Sequence, residues 1–118
     1  MVRLWGWVVC ALLCLGCATT STSGTPDSER SIKEFQLAAG LRDEGQTAGA
    51  ITHLRKAIEL DSTNAEAHLL LGFIQMERAD YPSAEQHLST GIELLEKQER
   101  DGSMLAEARN IYGVCLME

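Results

Sequence analysis

Residues 31–64, SIKEFQLAAGLRDEGQTAGAITHLRKAIELDSTN, followed at once by residues 65–98, AEAHLLLGFIQMERADYPSAEQHLSTGIELLEKQ, decide the fold. The two stretches are each 34 residues long and superpose without a gap. Leu37, Ala38, Leu41, Ala50, Leu54 and Ala57 stand at unit positions 7, 8, 11, 20, 24 and 27 of the first. Leu71, Gly72, Gln75, Ala84, Leu88 and Gly91 hold those positions in the second. Apolar residues three and four apart, without β-branched runs, predict helices throughout. Turn chemistry divides each unit into two: Gly45-Gln46 breaks the first and Ala79-Asp80-Tyr81-Pro82 the second. Pro82 then falls in a first helical turn, where its missing N–H costs nothing. Asp61-Ser62-Thr63-Asn64 closes the first unit and offers N-caps to the next. Small residues at positions 8 and 20 let two antiparallel helices approach within roughly 8–10 Å. The small residue at 27 leaves room for the next unit, and the leucines fill the gaps between layers.

A third unit starts late. Ala106-Glu107-Ala108 mirrors Ala65-Glu66-Ala67, and Tyr112-Gly113 mirrors Leu71-Gly72, at a spacing seven residues beyond the period. Seven residues are about two helical turns. The insertion is therefore expected to lengthen the second helix of unit two through Leu94 to Arg100, with Asp101-Gly102 ending it. This pattern of small and large residues resembles the tetratricopeptide repeat from Ser31 onward. The resemblance implies an all-α fold, an antiparallel helix-pair solenoid of about 2.5 repeats: 31–64, 65–105 and the start of a third over 106–118. Three positions depart from the repeat's pattern. Ser62 replaces a usual proline, Gln75 is polar at an apolar place, and Glu34 and His68 replace a bulky aromatic at position 4. Ile111, Tyr112, Val114, Cys115, Leu116 and Met117 do not make the polar outer face expected of a terminal repeat. The expectation is that these residues belong to the front of a longer protein; the alternative is a complete 2.5-repeat domain.

Outward toward the N-terminus the composition changes. Met1-Val2-Arg3 and the apolar run 4–15 have the length of a signal-peptide core and fall short of the roughly 18–20 apolar residues of a membrane span. Leu13-Cys14-Leu15-Gly16-Cys17 resembles the lipobox of bacterial lipoproteins, with a small residue before the acceptor thiol but Cys14 in place of the usual leucine. That resemblance implies a signal peptide over 1–16 and a covalent lipid on Cys17. Ala18 in the next position leans toward an outer-membrane lipoprotein facing the periplasm. An ordinary secretory signal is the other reading. The small polar stretch ATTSTSGTPD (18–27) has nothing to bury and reads as part of a flexible tether, placed over 17–30, ahead of a domain at 31–118.

Ten basic against seventeen acidic side chains give a net charge of −7, with no Lys/Arg cluster to neutralise phosphates. Nucleic acid is excluded as a partner, and membrane contact is left to the lipid anchor. Cleavage before Cys17 would leave Cys115 as the one unmodified thiol, so no internal disulfide is expected. His53 and His87 share unit position 23, which is expected to bring them near one another, but no third ligand completes a zinc spacing. Neither a phosphate-binding glycine loop nor a nucleophile or metalloprotease motif occurs. The chain reads as no enzyme and without a cofactor beyond the lipid.

What remains is surface. In a tetratricopeptide superhelix the first helices line a concave groove through unit positions 2, 5, 9 and 12. Here these positions are expected to place Phe35, Leu69, Phe73, Met76, Asn110 and Val114 in a groove for a protein or peptide, apolar at its centre, with Glu66 and Glu107 among its acidic residues. The stretch 106–116, AEARNIYGVCL, together with the signal and anchor, is similar to the lipoproteins of type IV pilus biogenesis called pilotins. That similarity implies an envelope assembly factor whose partner is a secretin subunit. The alternatives are a lipid-tethered scaffold for other envelope complexes and an accessory region of a longer enzyme.

Overall fold

The computed structural model describes residues 24–100 and 102–118. Five helices follow one another: α1 (Pro26–Asp43), α2 (Thr47–Leu60), α3 (Ala65–Glu77), α4 (Tyr81–Lys97) and α5 (Gly102–Leu116). Among the described residues there is no strand. α1 pairs with α2 and α3 with α4; α3 also packs on α2, and α5 on α4. The fold is the all-α helix-pair solenoid.

Small-into-large packing carries it. A Cβ added at Gly72 would lie 2.8 Å from Leu88 Cγ, and one at Gly91 would lie 2.6 Å from Leu69 Cδ2. Ala38, Ala50, Ala57 and Ala84 are completely buried, and Leu54, Leu71 and Leu88 are buried beside them. Each such leucine contributes roughly 1.5–3 kcal/mol through burial. One buried cluster joins α1, α2 and α3; a second, built on Ala84, Leu88 and Cys115, joins α3, α4 and α5. Leu37 departs from its counterpart: it is 49% exposed, whereas Leu71 at the same unit position is 1% exposed. Leu71 packs into the cluster of the preceding pair, and among the described residues no pair precedes α1 to cover Leu37.

Polar groups tie the first junction. Asn64 caps α3 by accepting from Ala67 N–H at 3.0 Å and donates through Nδ2 to Ser31 Oγ at 2.9 Å. Ser31, fully buried, donates in turn to the Ala57 carbonyl at 2.7 Å. α1, α3 and α4 end alike. Gln46, Asp80 and Arg100 each donate an N–H to the carbonyl five residues back, after a left-handed residue. That residue is Gly45 in the first case but Ala79 and Glu99 in the others, where a side chain strains the turn.

Two boundaries need correction. α1 begins at Pro26, five residues before the expected Ser31, so residues 26–30 belong to the helix and not to a tether. Thr25 caps it by accepting from Ser28 N–H at 3.3 Å, Pro26 supplies the first turn, and Asp27 and Glu29 sit where the helix dipole favours acid. Ser28 also donates to Asp61 at 2.8 Å, which fastens this added turn to the α2–α3 junction. The second correction concerns the seven inserted residues. α4 ends at Lys97, not Arg100, so it extends only three residues beyond the position where α2 stops. The other four lengthen α5 at its start, and four positions separate the helices at both junctions. The expected signal peptide over 1–16, and Cys17, lie outside the described residues.

Candidate functional site

A cavity of about 480 Å³ opens between the first helices of successive pairs. α1 supplies Phe35, Ala39 and Arg42, α3 supplies Glu66, Leu69, Leu70 and Phe73, and α4 adds Leu88. Met104, Glu107, Ala108 and Ile111 close it from α5. These positions converge because small residues on the opposite faces of the same helices are consumed in pairing. The walls are largely apolar. Two of the three charged residues are already engaged: Arg42 lies over the Phe73 ring at 4.4 Å and pairs with Glu77 at 3.4 Å, while Glu66 pairs with Arg100. Glu107 is exposed and, among the described residues, has no ion-pair partner.

Of the six residues expected to form a partner groove, the structure brings together Phe35, Leu69 and Phe73 and leaves out the others. Met76 packs instead on the cluster of Ala84, Leu88 and Cys115. Asn110 and Val114 are exposed outside the cavity. The reason is geometric. A pocket between two neighbouring helices draws on the flank that each turns toward the other. On α5 those residues are Met104, Glu107, Ala108 and Ile111; Asn110 is rotated away from them, and Val114, seven residues after Glu107 on the same stripe, lies about two turns farther along the helix. Ile111 was legible only as the partner of Leu70, the residue at the same unit position.

His53 and His87 each have a partner on the first helix of their own pair. His53 contacts Glu34 at 2.7 Å, and His87 contacts His68 with Nδ1 atoms 3.2 Å apart. Each second-helix position 23 therefore meets position 4 of its own first helix, a pairing that the equal register of His53 and His87 concealed. His68 Nε2 lies 3.1 Å from the Ser62 carbonyl, and a carbonyl can only accept, so Nε2 carries a proton. Burial, the charge of His68 and Arg55 hold the pKa of His87 below its ordinary value. Among the described residues no group of three or more His, Cys, Asp or Glu could hold a metal ion. Cys115 is buried against the Tyr81 carbonyl, and burial together with Glu85 pushes its thiol pKa up, the reverse of what a nucleophile needs. Among the described residues no helix is long and apolar enough to cross a membrane.

The arrangement is that of a helix-pair solenoid with an apolar cavity open between its first helices. A family model described as TPR repeat, the tetratricopeptide repeat, matches residues 41–78, which span the end of α1, all of α2 and all of α3. The N-terminal domain of stress-induced protein-1 (STI-1) from C. elegans is similar in structure, with a TM-score of 0.72. It is 20% identical, and the match covers 80% of this chain and 74% of that one. No curated protein matches. Residues 41–78 thus match the tetratricopeptide-repeat model, and they lie within a helix-pair solenoid.

Proposed function

We propose that this domain is a protein-interaction module that holds a peptide segment of its partner in the cavity between α1, α3 and α5. The observation that carries the reading is the convergence of Phe35, Leu69, Phe73 and Ile111 on one open apolar cavity. Aromatic and aliphatic anchors around a concavity are where binding energy concentrates. A photo-reactive aromatic replacing Phe73 in cells should crosslink to a discrete partner, whereas the same group at Thr52 on α2 should not. Equal crosslinking from both places, or none from position 73, sinks the groove reading.

In its finer form the module is an outer-membrane lipoprotein facing the periplasm, anchored through Cys17, that helps an envelope assembly form. A secretin subunit of the type IV pilus is the first partner to try. The support is the apolar run 4–15, the Gly16-Cys17 pair and the similarity of residues 106–116 to pilotin lipoproteins. Cells fed an alkyne-tagged palmitate should label the wild-type chain and not Cys17→Ala; label retained by the variant removes the anchor.

A further inference from the structure

The charges around the cavity specify more than an apolar ligand. Arg42 cannot readily serve an incoming anion, since Glu77 takes its charge and the Phe73 ring takes its face. Glu66 is neutralised by Arg100. Among the described residues Glu107 alone contributes an uncompensated charge to the cavity wall, and it stands one helical turn before Ile111 on the same face of α5. The chain as a whole carries −7, so its field attracts cations and repels anions.

We propose, resting on the peptide-groove reading, that the occupant is a basic amphipathic peptide: a bulky apolar side chain seats among Phe35, Leu69, Phe73 and Ile111, and a neighbouring Lys or Arg pairs with Glu107. One helical turn is about 5.4 Å. The cation therefore lies two residues from the anchor in an extended peptide, or three to four in a helical one. An acidic peptide is disfavoured twice, by Glu107 and by the net charge.

The test is selection of displayed random 12-residue peptides on the full chain and on four variants, each checked for helicity by circular dichroism. Wild type should enrich a bulky apolar residue with Lys or Arg at one of those spacings. Phe73→Ser should lose the enrichment altogether. Glu107→Gln should keep the apolar preference and lose the basic one, and Glu107→Lys should turn it acidic. Glu85→Gln on α4 removes the same charge elsewhere and should change nothing. For one selected peptide, Glu107→Gln should weaken binding by roughly two- to five-fold, the range of an exposed ion pair. Its neutral analogue should bind both proteins alike. Wild-type enrichment without basic residues, or equal loss in Glu85→Gln and Glu107→Gln, overturns the inference while leaving the groove intact. Enrichment that survives Phe73→Ser, or none from wild type, overturns the groove reading and the inference with it.

Discussion

Gln75 and His87 are the two side chains whose surroundings fit them least. Gln75 stands at the unit position that Leu41 holds in the first pair; it is 8% exposed, and its Oε1 has no hydrogen-bond partner among the described residues. An unsatisfied buried acceptor costs roughly 1–3 kcal/mol. Gln75→Leu should raise the free energy of unfolding by about 1–2 kcal/mol, read from the urea midpoint at unchanged slope; a fall would mean that the amide has a partner in solution. His87 supplies a pH dependence. Its folded pKa lies below the ordinary histidine value of 6.5 because burial, His68 and Arg55 oppose its charge. As pH falls past about 6.5 the unfolded chain takes up that proton first, so stability is full above this value. It declines below it until the folded pKa is passed. Between pH 7.5 and 5.5 the urea midpoint should drop more in wild type than in His87→Gln; equal drops would assign the dependence elsewhere. The sequence marked Gln75 as misplaced, since period alone shows it. It could not show the His68–His87 contact, because that depends on how two helices of one pair are rotated.

At the scale of the helix, the repeat was legible because small residues report contacts that nothing larger tolerates. Gly72 and Gly91 meet Leu88 and Leu69 as the register requires. The two glycines nevertheless differ in consequence. A methyl at Gly72 would meet Leu88 at Cγ and at its backbone nitrogen, 3.1 Å away, and Leu88 is 1% exposed with no space to yield. Gly72→Ala should therefore destabilise by about 1–2 kcal/mol, overpacking outweighing the better helix propensity of alanine. A methyl at Gly91 meets Leu69 at Cδ2 and Cγ, with the Ala65 carbonyl oxygen 3.3 Å away, but Leu69 is partly buried and borders the open cavity. Leu69 can swing into that space. Gly91→Ala should destabilise less than Gly72→Ala and weaken peptide binding, and the reverse ranking of the two variants in denaturation would contradict the packing account. The extra residues between units two and three were readable in number but not in placement. Thr25-Pro26 signals a helix start at the other end, yet a polar stretch with nothing to bury hides it, and the Ser28–Asp61 contact gives that turn a tertiary partner.

Across the described helices each one is held chiefly by its sequence neighbours, with lighter α1–α3 and α3–α5 contacts, so stability is largely a sum of local junctions and the outermost described helices open most easily. α2, α3 and α4 lie inside, each with a packed helix on both sides. α5 rests on α4 chiefly through Ala108 and Cys115, while Val114, Leu116 and Met117 are exposed. Amide hydrogens of residues 104–116 should thus exchange faster than those of α2 and α3. The cavity is built across this gradient, since Phe35 comes from α1, Phe73 from α3 and Ile111 from α5. A peptide lodged there bridges helices that otherwise communicate through the core, and its binding energy stabilises the closed form of the weakest one. Saturation with a groove-selected peptide should slow exchange in 104–116 at least as strongly as in 65–77, measured by mass spectrometry on the full chain. Protection confined to α3 would mean that α5 is no wall of the site, and would move the charge recognition away from Glu107.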